Sequence, residues 1–282
     1  MTLDTTLTSM GTEKSTFRNT FKGGLNVTHD ELFKQIRTNI RRPLPQVQQH
    51  PPNDYKVVLL CGGPSLNDST PTLRRLVRSG YKIACVNNTY NWALEHKFVP
   101  SVYAQLDARE HNTRFVSKPV DGCRYLLMSQ VHPDLFDMLE GYDVRIWHSV
   151  NKKEKQLLDT YYMKRWRSVH GGSTIGSRSI FLLYLLGMRT VRVFGMDSCF
   201  ASGQHHAYEQ PENDKDELIT VTVGRRKFQT TVWMVAQLDE MLQLASQVPS
   251  DFKLSFEGDG LLQYIITETA RRGKTPRITM GA

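Results

Sequence analysis

Residues 56–68, KVVLLCGGPSLND, predict a strand that runs into a glycine turn and then a helix. The apolar run KVVLLC lacks the alternation of polar and apolar side chains, which is typical of a strand buried on both faces. Similar runs, mostly separated by segments that can form helices, begin at residues 81, 101, 124, 143, 190 and 252. The pattern predicts an α/β, Rossmann-like fold: a mostly parallel, doubly wound sheet with helices on both faces.

Two segments depart from this alternation. Residues 1–54 are polar, contain prolines at positions 43, 45, 51 and 52, and predict an N-terminal arm with one short helix ahead of a Rossmann-like domain over residues 55–282. Residues 200–231 predict an insertion: a lid segment, residues 203–217, followed by a hairpin around Gly224. Because the lid segment is polar, we expect it to be mobile until a ligand binds.

The composition is that of a globular protein, with 39% hydrophobic and 23% charged residues in 282. The longest nearly uncharged apolar run, residues 180–188, is far short of the roughly 20 residues that span a membrane. The N-terminus lacks the apolar core of a secretory signal, so we expect a cytoplasmic protein. Its four cysteines form no CxxC pair and predict buried thiols in a reducing compartment; they are Cys61, Cys85, Cys123 and Cys199.

The chain is basic, with 36 Lys and Arg against 28 Asp and Glu and a formal net charge of +8. This balance favours a phosphorylated substrate or a polyanionic partner, nucleic acid included, although a solvated basic surface would give the same balance.

The first candidate site is the turn after the first strand, formed by Gly62, Gly63, Pro64 and Ser65. Paired glycines let the backbone approach a ligand, and the N–H groups of the following helix can cradle phosphate at the strand end where open α/β sheets bind ligands. The turn is neither a Walker P-loop nor GxGxxG, and a simple tight turn is an equal explanation. If it binds a nucleotide, Gly63→Val should abolish binding and leave the fold intact.

Polar side chains also follow the next two strands. Asn87 and Asn88 offer amide groups to a base, a ribose or a sugar hydroxyl, with helix capping as the alternative for one of them. Asp107 could hold Mg²⁺, or could pair with Arg109 instead.

Two further segments carry candidate chemistry. The turn that leads into the most apolar helix predicts a second anion site and comprises Gly171, Gly172, Ser173 and Thr174. Asp197 ends a strand and precedes the lid histidines His205 and His206 and the phenol of Tyr208, a set suited to acid and base work near neutral pH. The adjacent histidines do not have the spacing of a metal motif.

Taken in order, GGPSL, NN, GGSTIGSRSIFLLYLLGMRTVRVFGMDSCF and HHAY resemble one superfamily over roughly residues 56–270. It joins the 6-hydroxymethylpterin diphosphokinase MptE-like proteins (DUF115), the Maf flagellin glycosyltransferases and the family 42 sialyltransferases. In the sialyltransferases the first motif is GNGPS and binds the cytidine nucleotide, so Gly62 stands in place of the asparagine. Their second motif, CNQ, corresponds to residues 86–88 and shares only Asn87.

The resemblance implies a nucleotide-dependent transferase, and glycosyl transfer from a CMP-, UDP- or GDP-linked sugar to a small-molecule or polymer acceptor is the favoured chemistry. His205, His206, Tyr208 and the 171–174 turn would stabilise the departing nucleotide. The general base would be His205, His206 or Asp197.

Two alternatives stay open. An MptE-like diphosphokinase would transfer diphosphate from ATP to an alcohol such as 6-hydroxymethylpterin, with Mg²⁺ at Asp107 or Asp197. A non-catalytic or DNA-directed basic module fits the net charge, but the sequence contains no recognised nucleic-acid motif.

Overall fold

The computed structural model describes residues 27–149, 152–211, 216–245, 247–273 and 278–281. Its strands are β1 (Asn53–Leu60), β2 (Lys82–Val86), β3 (Pro100–Gln105), β4 (Arg124–Met128), β5 (Asp143–Trp147), β6 (Met188–Phe194), β7 (Ile219–Val223), β8 (Arg226–Thr230), β9 (Lys253–Glu257) and β10 (Ile278–Gly281). Seven of them form one sheet in the order β5-β4-β3-β2-β1-β6-β9. Every pair in this sheet is parallel, so the predicted Rossmann-like fold is confirmed.

The strand order places a crevice at the centre of the sheet. From β1 the chain steps outward through β2, β3, β4 and β5, and β6 then pairs with the opposite side of β1. The direction of winding therefore reverses between β1 and β6. At such a reversal, the loops that follow the two neighbouring strands run in opposite directions. They leave a crevice between them at the carboxyl ends of the strands, where ligands bind.

The helices are α1 (His29–Asn39), α2 (Thr70–Arg78), α3 (Thr89–Glu95), α4 (Pro133–Met138), α5 (Lys152–Tyr161), α6 (Ile175–Leu185), α7 (Val232–Ala245) and α8 (Leu261–Arg272). Short 3₁₀ helices span Pro64–Ser69 and Glu110–Phe115. Helix α6 is the most apolar, as expected, and buries Ile180, Leu182 and Leu183 in the core. Among the described residues, no helix is long and apolar enough to cross a membrane.

The described part of the predicted arm packs against the domain. Thr28 forms a capping box with Glu31 at the start of α1. Leu32 and Ile36 of α1, and Ile40 directly after it, are buried in the core. The buried Asn39 amide donates to the carbonyls of Ser129 and Val131 at 3.0 and 2.7 Å. Residues 1–26 lie outside the described part of the chain.

The segment that follows α1 covers one edge of the sheet. Ile146 of β5 donates its N–H to the carbonyl of Pro45 at 3.0 Å and accepts from the N–H of Val47 at 2.8 Å. Since β5 is the terminal strand, this short strap occupies the edge that would otherwise face solvent.

The predicted hairpin is confirmed as β7 and β8, which pair antiparallel around the turn at Gly224. The last described strand, β10, pairs antiparallel with β7 and completes a three-stranded sheet that the sequence did not predict. Residues 212–215 of the predicted lid segment lie outside the described residues.

Several buried side chains carry ionisable groups. All four cysteines are free and buried, as expected of core thiols, and burial raises their pKa values. His148, directly after β5, is 1% exposed and packs against the rings of Tyr162 and Trp166. Neither of its ring nitrogens has a hydrogen-bond partner among the described residues, and burial lowers its pKa to about 4.

Candidate functional site

The loops that leave β1 and β6 meet at the reversal of the sheet. Gly63 donates its N–H to the carbonyl of Gly195 at 2.6 Å. A Cβ on Gly63 would lie 2.5 Å from a carboxylate oxygen of Asp197 and 2.7 Å from the Gly195 carbonyl oxygen. The absence of a side chain at Gly63 therefore serves the contact between the two loops. This corrects the expectation that Gly63→Val would spare the fold, since the substitution would push the loops apart.

Asp197 fixes the start of the 3₁₀ helix Pro64–Ser69. Its carboxylate accepts the N–H of Ser65 at 2.8 Å and the hydroxyl of Ser65 at 2.6 Å, and the Gln263 amide lies 3.4 Å away. The side chain is buried, and burial raises its pKa. The structure thus brings Asp197 to the predicted site, with both oxygens bonded to Ser65.

The lid histidines and tyrosine lie directly against the first loop. The N–H of Ala207 donates to the carbonyl of Gly62 at 2.8 Å. A Cβ on Gly62 would lie 2.6 Å from both Cδ2 of His206 and the phenol oxygen of Tyr208. Burial raises the pKa of Tyr208, so the phenol stays protonated and able to donate at neutral pH.

The two histidines contact each other through their rings. Nδ1 of His206 lies 3.2 Å from Nδ1 of His205. The His205 side chain is buried and its ring also packs against Phe200. The ring of His206 continues the contact toward Tyr208, with centroids 5.4 Å apart. The structure therefore brings together the three lid residues that the sequence singled out.

Asn67 is a further polar residue at this site, and sequence reasoning missed it. Its amide donates to the carbonyl of Ala207 at 3.0 Å, and its amide oxygen accepts the indole N–H of Trp92 at 2.9 Å. Asn67 lies two positions after Ser65 in the 3₁₀ helix Pro64–Ser69, so its nearness to the glycine turn was the one signal in the sequence.

Asn87 lies at the carboxyl end of β2 in a left-handed backbone conformation, with φ of +47°. Asparagine tolerates this region better than most residues. Its side-chain oxygen is buried without a hydrogen-bond partner among the described residues. Thr89 donates its hydroxyl to the Leu60 carbonyl at 3.0 Å and so holds the start of α3 beside the end of β1.

Asn88 occupies the N-cap position of α3, but its side chain makes no capping bond and accepts instead from the Asn91 amide at 2.8 Å. It borders a surface groove of about 340 Å³. The groove is lined by Asn88, Asn91, Leu94, Glu95, Arg114 and Ser117.

Asp107 makes the pair that the sequence offered as the alternative to metal binding. Its carboxylate accepts the backbone N–H of Arg109 at 3.0 Å and the guanidinium at 2.7 to 3.2 Å through both oxygens. No group of three His, Cys, Asp or Glu side chains is placed to hold one metal ion within the described parts of the chain. The two carboxylates considered for Mg²⁺, Asp107 and Asp197, are thus bonded to Arg109 and to Ser65 in this arrangement.

The turn before α6 binds a carboxylate of the same chain, that of Glu240. Ser173 donates its N–H and its hydroxyl to one carboxylate oxygen of Glu240, on α7, at 2.8 and 2.7 Å. Thr174 caps the helix by accepting the Ser177 N–H at 3.2 Å. A Cβ on Gly176 would lie 3.1 Å from the sulfur of Cys61, so the start of α6 adjoins the end of β1.

One solved structure has a similar architecture. The Maf glycosyltransferase from Magnetospirillum magneticum AMB-1 is similar with a TM-score of 0.64 at 15% sequence identity, over 90% of this chain and 43% of that chain. This chain thus spans less than half the length of that protein, and the similarity establishes the fold. A mammalian sialyltransferase in complex with Gal-beta-1-3GalNAc-ortho-nitrophenol aligns over 83% of this chain and 88% of its own, with a TM-score of 0.40 and 13% identity.

No protein of curated function matches the chain in sequence. The family model for the 6-hydroxymethylpterin diphosphokinase MptE-like proteins, by contrast, matches residues 30–203. The match begins within α1, earlier than the motifs suggested, and ends in the loop before the lid histidines. The resemblance to the MptE-like proteins inferred from the sequence motifs is confirmed, and the chain belongs to the 6-hydroxymethylpterin diphosphokinase MptE-like family.

Proposed function

We propose that this protein is a nucleotide-dependent transferase with its donor site in the crevice between β1 and β6, and that it transfers a sugar from a CMP-, UDP- or GDP-linked donor. The contact of His206 and Tyr208 with Gly62 carries the proposal. This contact places two side chains that can donate hydrogen bonds next to the backbone of the glycine turn, where the nucleotide phosphates would bind. Donors fixed where charge develops on the leaving group are a principal means of accelerating group transfer.

The residues then divide by role. Gly62, Gly63, Pro64 and Ser65 would hold the phosphates, and Asn87 and Asn88 would face the nucleoside. The 171–174 turn would join the phosphate site only when Glu240 leaves Ser173. His206 and Tyr208 would stabilise the departing phosphate, and His205 or His206 would act as the base. Asp197 would act through Ser65 as a positioning residue, because both its oxygens are bonded to Ser65.

Diphosphate transfer from ATP is the second candidate, and the family match over residues 30–203 favours it. In that reaction Mg²⁺ would be held mainly by the phosphates and by one or two carboxylates. Asp107 would have to exchange its bonds to Arg109 for the metal. The distinction between the two chemistries therefore rests on metal dependence and on the nucleotide used.

Within the described ranges, the arginines of the hairpin and of α8 give no support to binding of nucleic acid. Arg226 pairs with Asp259, and Arg271 and Arg272 both pair with Glu268. These pairs offset part of the positive charge on the hairpin and on α8.

A thermal-shift panel with CMP, UDP, GDP, ADP and ATP, each with and without Mg²⁺, tests the proposal. A nucleotide at one hundred times its Kd should add roughly 2.7 kcal/mol to the free energy of unfolding. We expect stabilisation by one of the first three nucleotides, and turnover of the matching nucleotide sugar that survives EDTA. Turnover of ATP to AMP that EDTA abolishes would establish the diphosphokinase instead, and no stabilisation by any nucleotide would refute both.

A further inference from the structure

We propose that Asn67 is a positioning residue, a latch that holds the lid histidine and tyrosine against the first loop. Asn67 lies in the 3₁₀ helix Pro64–Ser69, and Ala207 lies between His206 and Tyr208. The effect on turnover rests on the proposed function, whereas the latch itself is a property of the fold.

Three elements meet in the latch. Trp92 of α3 donates its indole N–H to the side-chain oxygen of Asn67 at 2.9 Å. The side-chain amide of Asn67 donates to the carbonyl of Ala207 at 3.0 Å. The N–H of Ala207 in turn donates to the carbonyl of Gly62 at 2.8 Å. The peptide groups that flank Ala207 are thus fixed on both sides, one to the glycine turn and one to Asn67.

Chemistry settles which way the Asn67 amide points. An indole nitrogen can only donate, so the atom facing Trp92 must be the oxygen. A backbone carbonyl can only accept, so the atom facing Ala207 must be the nitrogen. Trp92 is 2% exposed and stacks on His96 with ring centroids 4.0 Å apart, which makes it a rigid anchor for Asn67.

The latch orients the side chains on either side of Ala207. Gly62 leaves room for His206 and Tyr208 only because it has no Cβ. A small rotation of the Ala207 backbone would lift both side chains from the loop. Asn67 is itself exposed to solvent, so its side chain contributes through these bonds rather than through core packing.

Asn67→Asp tests the latch most sharply. The carboxylate keeps an oxygen for Trp92 but presents a second oxygen to the Ala207 carbonyl, which removes the bond to the lid and adds repulsion. Hydrogen exchange at the Ala207 amide should become at least fivefold faster, roughly the change that loss of one hydrogen bond of about 1 kcal/mol produces. The amide of Val58, in the central strand β1, should exchange at the wild-type rate in the folded variant.

Two further variants separate the latch from charge and from folding effects. Asn67→Ala should also speed exchange at Ala207, without adding a charge. Asp68→Asn changes the charge of the neighbouring exposed residue and should leave that exchange unchanged. Exchange at Ala207 within twofold of wild type in folded Asn67→Asp and Asn67→Ala would overturn the latch.

Turnover supplies the second readout. With the nucleotide sugar identified by the binding panel, Asn67→Asp should lower kcat about fivefold and change the Kd of the nucleotide by less than twofold. Faster exchange with an unchanged kcat would overturn the positioning role. If the wild-type protein binds no nucleotide, the proposed function fails, while the exchange experiment still decides whether the latch exists.

Discussion

Ser65 donates both of its hydrogen bonds to Asp197, through the backbone N–H at 2.8 Å and through the hydroxyl at 2.6 Å. Asp197→Ala leaves the Ser65 N–H without its acceptor and should lower the free energy of unfolding by about 2 kcal/mol. Asp197→Asn keeps an acceptor and should cost less, about 1 kcal/mol. Urea denaturation measures both values. If Asp197→Asn instead abolished turnover at unchanged stability and nucleotide affinity, Asp197 would be the general base.

Adjacent glycines should respond differently to the same substitution. Gly62→Ala meets the ends of two flexible side chains, His206 and Tyr208, and should displace the lid with little loss of stability. Gly63→Ala meets the Asp197 carboxylate and the Gly195 carbonyl, so it should destabilise the protein. We expect faster exchange at the Ala207 amide in Gly62→Ala and a lower urea midpoint in Gly63→Ala. The reverse order would contradict the described loop packing.

Tyr208→Phe removes the phenol hydroxyl while keeping the ring against Gly62 and His206. Turnover should fall by about 10- to 100-fold, which corresponds to about 1.4 to 2.7 kcal/mol of transition-state stabilisation, with little change in nucleotide affinity. Steady-state kinetics with the nucleotide sugar, alongside a binding titration, separates the two quantities. A loss of nucleotide affinity with unchanged kcat would assign Tyr208 to nucleotide binding instead.

The carboxylate of Glu240 accepts hydrogen bonds from the N–H and the hydroxyl of Ser173. The sequence predicts that an external anion binds at this turn. Glu240→Ala should therefore lower stability by about 1 kcal/mol and raise the affinity for inorganic phosphate. Thermal shifts measured against phosphate concentration test this. Asp239→Asn removes a neighbouring carboxylate that accepts from Gln243, and it should leave the response to phosphate unchanged. An unchanged response in Glu240→Ala would exclude this turn as an anion site.

Burial of His148 should make the protein sensitive to mild acid. Its pKa is about 4 in the folded chain and near 6.5 when unfolded, so the unfolded state binds more protons between these values. Stability is therefore lost as the pH falls from about 6.5 toward 4. This group should remove about 2 kcal/mol from the free energy of unfolding between pH 7.5 and pH 5.

His148→Leu should retain about 2 kcal/mol more stability than wild type on that acidification. Urea denaturation at the two pH values measures the difference. His132→Leu serves as the control, because His132 is partly exposed and lies beside Asp134. This variant should lose as much stability on acidification as the wild-type protein. Equal acid sensitivity in His148→Leu and wild type would contradict the described burial.

Local patterns predicted the sheet because its strands are short runs rich in apolar residues, most of them followed by turn residues. Such patterns could not predict contacts between residues that lie far apart in the sequence. Asn67 and Ala207 lie 140 positions apart, and Ser173 and Glu240 lie 67 apart, so nothing near either residue indicated its partner. The pairing of Asp107 with Arg109, two positions away, could be anticipated as an alternative. Helix α1 was underestimated because the polar composition of the arm masked the apolar stripe of Leu32, Ile36 and Ile40.

The strap over β5 should also protect the protein from self-association. An uncovered terminal strand presents unpaired N–H and carbonyl groups that can pair with the same strand of another molecule. Pro45 and Val47 bond to Ile146 and close that edge. A protein shortened to residues 55–282 would expose the edge, together with the apolar surface beneath α1, and would tend to aggregate. A shortened protein that keeps α1, its Thr28 cap and the strap should stay monodisperse.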